Sequence, residues 1–215
     1  MVLSILCVVA MLALVLSEYA KLGALRIASK VVASAAFVTL GARFATQGAY
    51  PQAIFVGLVL GAIGDVALLG RSSRAFLAGL GAFLLGHLAY VVAIAYLVTP
   101  SGWLGGAGAL AAVPILAGGV ALALLWPKLG AMRVPVIGYV LAIVTMVVAA
   151  IAAWRTDALP APQRTRLVAG AALFFLSDLA VARDKFVAPG FVNKLWGLPA
   201  YYAAQLLIAW SLAGP

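Results

Sequence analysis

An all-α, polytopic transmembrane bundle of eight helices is the fold this sequence predicts, and three observations predict it. Hydrophobic residues make up 67% of the 215 and charged residues only 9%, with a mean hydropathy of +1.19; a soluble domain carries about a quarter charged residues. Apolar runs of the length a bilayer core demands, roughly 20 residues each, follow one another with little chain between them. None of these runs alternates as a lipid-facing β-strand would.

The runs lie near residues 1–18, 27–46, 51–70, 75–98, 103–126, 133–154, 165–183 and 197–213. The first, "MVLSILCVVAMLALVLSEYAK", has no basic residue ahead of its apolar stretch and no small-residue cleavage pattern before Glu18, so it reads as a retained span. It holds the single cysteine, Cys7, which excludes an internal disulfide. The second opens with Lys30, which shares a helical face with Ser34 and Gly41. In the third, Gly57, Gly61, Gly64 and Asp65 share one face, the spacing that lets a neighbouring helix approach the carboxylate. The fourth carries a similar stripe, Gly79, Phe83, Gly86, His87 and Tyr90. Residues 100–160 hold nothing diagnostic. The seventh contains "FFLSDLAVARDKF" with Asp178, and the eighth places Tyr201 and Gln205 one turn apart beside Tyr202.

Connections of about a dozen residues or fewer leave no room for a soluble module, so a single domain over 1–215 is expected. Short matches, "GDVALLGR" with "SDLAVAR" and "GHLAY" with "GLPAY", set the third and fourth spans against the seventh and eighth. They suggest a parallel 4+4 internal repeat.

The net charge of +9 would suggest nucleic acid in a soluble chain, but here the cations cluster between spans. Lys21 and Arg26, Arg71 and Arg74, Lys128 and Arg133, then Arg183, Lys185 and Lys194 fall at the odd-numbered connections. The even ones hold Arg43, then Arg155, Arg164 and Arg166 with Asp157. The positive-inside rule puts the odd connections in the cytoplasm and both termini on the far side, in the inner membrane if the source is bacterial. Anionic lipid headgroups are then the expected neighbours of Arg71, Arg74, Arg183, Lys185 and Lys194, and no nucleic acid is called for.

Of five acidic residues, Glu18, Asp157 and Asp184 fall at or beyond span ends beside basic residues, whereas Asp65 and Asp178 are intramembrane. A carboxylate at helix centre costs about 2.5 to 3.5 kcal/mol, so such residues face the bundle interior and usually mark function. The alternative is purely structural: an aspartate paired with Lys30, and His87 a core histidine bonded to a neighbouring helix. Both aspartates are expected about five residues, roughly 8 Å, from the cytoplasmic end of their spans. Lys30, Tyr201, Tyr202 and Gln205 fall at that depth, with His87 and Tyr90 somewhat deeper, which predicts a polar pocket open to the cytoplasmic leaflet. A lone histidine excludes a site of two or three His ligands, and no metal or cofactor is expected. Neither a Gly-rich phosphate loop nor a GxSxG elbow is present.

Lys30 early in the second span, "GD" followed by "LL", "GHLAY", "FFLSD" and "YYAAQLLI" together resemble the YhhN-like lysoplasmalogenase family over nearly the whole chain. The resemblance implies hydrolysis of the vinyl ether bond of lysoplasmalogens, with either ethanolamine or choline headgroups, to a fatty aldehyde and a glycerophospho-base. Its partners would be the lysophospholipid, water and membrane lipids, with no protein partner implied. Vinyl ether cleavage needs a carboxylic acid to protonate the β-carbon and an ionised group to activate water and balance the resulting cation, as paired carboxyls do for an oxocarbenium ion in glycosidases. Asp65 and Asp178 would form that pair, with Lys30, His87, Tyr90, Tyr201, Tyr202 and Gln205 binding or orienting substrate and water. The rival class is a proton-coupled transporter or exporter of a lipid or small molecule, since intramembrane carboxylates also carry protons.

Overall fold

A computed structural model describes residues 1–70 and 72–214, so Arg71, one of the expected headgroup contacts, lies outside the described residues. The elements are α1 (Val2–Ala20), α2 (Gly23–Ala42), α3 (Ala49–Ala67), α4 (Ser73–Ala95), α5 (Trp103–Ala107), α6 (Ala112–Leu125), α7 (Arg133–Arg155), α8 (Ala161–Phe186) and α9 (Phe191–Trp210). With α5 and α6 forming one interrupted segment, these match the eight runs, and no strand occurs among the described residues. Among the described residues, seven segments are long and apolar enough to cross a membrane. α9 is not one of them, although it is as long, because it carries Asn193, Lys194, Tyr201, Tyr202 and Gln205; all but Lys194 are buried inside the bundle.

α1–α2, α3–α4 and α8–α9 are tightly packed hairpins. Successive contacts run α1, α2, α3, α4, α7, α8, α9 and back to α1, while α9 also reaches across to α2 and α3. α5 and α6 pack on α7. The third-span glycines make room for side chains rather than for a backbone: a Cβ at Gly57 would strike the Tyr90 ring, and one at Gly61 the Gln205 amide.

Three expectations are corrected. The fifth segment is not a continuous helix over 103–126: Gly105, Gly106 and Gly108 weaken it, and Gly108 takes φ 56°, where other residues are strained. Arg155 Nη1 bonds the Ala107 carbonyl (2.9 Å) exposed by the break. α2 begins at Gly23 instead of 27, because left-handed Lys21 (φ 57°) closes α1 and turns the chain at once. Lys30 therefore lies about two turns, roughly 10 Å, inside its helix. The aspartates, finally, do not sit at equal distances from their helix ends. α3 stops at Ala67, leaving Asp65 in its last turn, before Ser72 caps α4 by accepting from Ala75 N (3.1 Å). α8 continues to Phe186, roughly 12 Å beyond Asp178, with Arg183 and Lys185 placed favourably in its last turn.

Candidate active site

Asp65 is 2% exposed, yet every polar demand of its carboxylate is met. Lys30 Nζ stands 3.1 Å from Oδ1. Oδ2 accepts from Ser34 Oγ at 2.7 Å and from the Tyr201 hydroxyl at 2.8 Å. Lys30 and Ser34 are one turn apart on α2, so a single helix face delivers both. Behind Tyr201 the bonds continue: Gln205 Nε2 donates to the Tyr201 oxygen (3.1 Å), and the Tyr90 hydroxyl donates to Gln205 Oε1 (2.7 Å). Because Asp65 takes the Tyr201 proton, Tyr201 must accept from the amide, and the amide carbonyl is left for Tyr90. The chain has one direction, from α4 through α9 to α3.

Asp178 has a different set of neighbours. The Tyr139 hydroxyl donates to Oδ2 at 3.0 Å, and His87 Nε2 lies 3.5 Å from the same oxygen. No lysine or arginine among the described residues pairs with it. His87 is fully buried, its ring edge-on to Phe174 (4.6 Å between centroids) and Tyr139 (5.1 Å), and neither ring nitrogen has a hydrogen-bond partner among the described residues.

One cavity of about 500 Å³ touches both clusters, a size usual for small-ligand sites. Lys30, Asp65 and Tyr201 contribute to its wall, as do Tyr139 and Asp178, together with Phe83, Val140 and Ile143. The same cavity continues to Glu18, Arg26, Lys185, Asn193 and Lys194, where α1 and α8 end and α2 and α9 begin. It therefore reaches the end of the bundle that carries the clustered cations.

Lys30, Asp65, Tyr90, Tyr201 and Gln205 are thus brought together, and His87 with Asp178, but the two carboxylates have separate partners. Lys30 and the Tyr201–Gln205 face meet Asp65 and not Asp178, because α9 inserts beside α2 and α3 and carries that face to Asp65. Tyr90, Gln205, His87 and Tyr202 stand behind the cavity wall and not on it. Tyr202 joins neither network; its ring packs on Tyr201 (4.9 Å) and Phe37 (6.2 Å), and its hydroxyl has no partner among the described residues. Tyr139 was missed, lying in the stretch that held nothing diagnostic. The available signal was a tyrosine in the middle of an apolar span, whose buried hydroxyl must find a partner.

The YhhN family model matches residues 25–212, which include every residue of both clusters. This chain belongs to the YhhN family. The YhhN-family chain is 35% identical over 166 residues to lysoplasmalogenase TMEM86A of Bos taurus, covering 74% of the chain and 64% of that protein. Against Homo sapiens TMEM86A it is 34% identical over 172 residues, covering 76% and 67%. Against Homo sapiens lysoplasmalogenase TMEM86B it is 36% identical over 166 residues, covering 77% and 65%. The chain spans about two thirds of the length of these relatives. No solved structure matches it. Its seven apolar segments and its relatives make it an integral, multi-pass membrane protein.

Proposed function

We propose that this YhhN-family chain hydrolyses the vinyl ether bond of lysoplasmalogens, releasing a fatty aldehyde and a glycerophospho-base. One observation carries the reading: a buried carboxyl and a part-buried one face a single cavity with different support, a lysine beside Asp65 and, among the described residues, only the Tyr139 hydroxyl bonded to Asp178. The names of the lysoplasmalogenase relatives supply the substrate class.

Lys30 and two hydroxyl donors hold Asp65 as a carboxylate. Asp178, bonded by a hydroxyl and without a cation, carries the transferable proton. That proton goes to the β-carbon of the vinyl ether, and the positive charge left on the ether-bearing carbon is stabilised by Asp65. Water adds there as its proton passes to Asp65, giving a hemiacetal. Asp65 then protonates the glyceryl oxygen, the hemiacetal hydroxyl returns its proton to Asp178, and the C–O bond breaks. Both carboxyls end as they began. Tyr139 orients Asp178, the Tyr90–Gln205–Tyr201 chain orients Asp65, and Phe83, Val140 and Ile143 line the path of the alkenyl chain. A lipid with a single chain enters between helices, so no aqueous channel is needed.

The test is purified protein in detergent given a 1-alkenyl lysophosphatidylethanolamine and, separately, its 1-acyl counterpart, with aldehyde as the readout. Aldehyde from the alkenyl lipid alone, lost in Asp178→Asn, is the expected result; full activity in both Asp65→Asn and Asp178→Asn refutes the mechanism. The cationic end of the bundle is assigned to the cytoplasm on charge bias. Cysteine labelling at the two termini checks this, with reaction from the outside only as the expected outcome.

A further inference from the structure

At the far end of the cavity Glu18 is held between two cations from different helices. Its Oε1 accepts from Arg26 Nε at 2.7 Å and its Oε2 from Lys194 Nζ at 2.8 Å, and its side chain is only 12% exposed. The triad carries one surplus positive charge. Among the described residues donors remain unused: the Lys194 ammonium spends one of its three protons on Glu18, and the remaining Arg26 nitrogens reach only the Leu68 and Leu69 carbonyls, at 3.3 and 3.5 Å. All three side chains line the cavity that holds Asp65 and Asp178.

Spacing makes the triad more than a surface cluster. Arg26 lies one turn from Lys30 on α2, and Lys194 two turns from Tyr201 on α9, so the cations sit roughly 6 to 10 Å along the cavity from the Asp65 site. In a glycerol lysolipid the phosphorus is five bonds from the ether oxygen, roughly 6 Å when extended. A lipid whose vinyl ether reaches Asp65 and Asp178 therefore brings its phosphate to Arg26 and Lys194.

We propose that Arg26, Glu18 and Lys194 form a phosphodiester subsite, which takes the singly charged phosphate of a lysophospholipid and leaves the occupied triad neutral. The assignment rests on the lysolipid reading above, and it makes phosphate-bearing lipids the preferred class over neutral glycerol ethers. Glu18 holds the two cations apart in the empty site and limits the attraction to one negative charge.

Equilibrium binding tests this without turnover, using 1-acyl lysophosphatidylethanolamine and the matching monoacylglycerol, which has no phosphate. Lys194→Gln should weaken lysophospholipid binding about tenfold relative to monoacylglycerol, the loss of one charge-assisted contact, and Lys194→Arg should restore it. Glu18→Gln, by enlarging the charge surplus, should tighten lysophospholipid binding at low salt, a sign that a purely structural ion pair would not give. Equal weakening of both lipids in Lys194→Gln, or no change in either, overturns the subsite. In competition, glycerophosphoethanolamine should displace the lysolipid more strongly than inorganic phosphate; equal potency would assign the site to free phosphate and overturn the headgroup assignment. Absence of aldehyde release by the wild-type protein would defeat the hydrolase reading while leaving these binding results to stand or fall separately.

Discussion

Asp65 and Asp178 share a residue type, a cavity and a surrounding of apolar helices, and differ in almost everything that decides what a carboxyl group does. Asp65 ends a helix, faces a lysine at 3.1 Å and accepts two hydroxyls, one of them backed by a directed chain through Gln205 to Tyr90. Asp178 lies well inside the longest helix, with one hydroxyl bond and the His87 ring 3.5 Å away. Chemical identity is therefore a poor guide to role in a membrane interior. In the proposed mechanism the charge of the nearest partner sets it.

The contrast should break most visibly in rate. Asp178→Asn should lower kcat about 10²- to 10⁴-fold, the usual share of a general acid, with little change in KM. Stability should barely move, because the amide oxygen still accepts from Tyr139. Asp65→Asn should instead unfold more easily, since a buried lysine left without its partner costs about 3 to 5 kcal/mol. Denaturant titration in detergent reads the difference, and the double variant Asp65→Leu with Lys30→Met should recover part of the stability, the Ser34 and Tyr201 hydroxyls still lacking their acceptor, without recovering activity. A smaller effect comes from the supporting chain: Gln205→Leu strands the Tyr90 hydroxyl and should cost about 1 to 3 kcal/mol of stability, seen in the same titration. Smallest is Tyr139→Phe, which removes one hydrogen bond and should slow turnover about tenfold by misaligning Asp178, leaving lysolipid affinity intact.

Hydropathy alone located the eight segments, and helical phase placed Lys30 with Ser34, and Tyr201 with Gln205. What it could not supply was the order of helices around the bundle. That order decides that α9 lies against α2 and α3, and so that the tyrosine–glutamine face serves Asp65 and not Asp178. Tyr139 was hidden for a related reason: its meaning depends on α7 packing between α4 and α8, which brings its hydroxyl to Asp178 beside His87. The break at Gly108 was illegible because glycine is common inside continuous membrane helices, and only its positive φ reveals a stop. Tyr202, adjacent to Tyr201, looked equally polar, but neighbours in a helix point about 100° apart and only one of them faces the carboxylate.

Infrared spectroscopy of the carboxyl carbonyl stretch is the most direct test of the division of labour, because a protonated carboxyl absorbs apart from an ionised one and no substrate is needed. At neutral pH the wild-type protein should show a protonated-carboxyl band that disappears in Asp178→Asn and survives in Asp65→Asn. A band that survives in Asp178→Asn and disappears in Asp65→Asn would contradict the assignment and exchange the two roles.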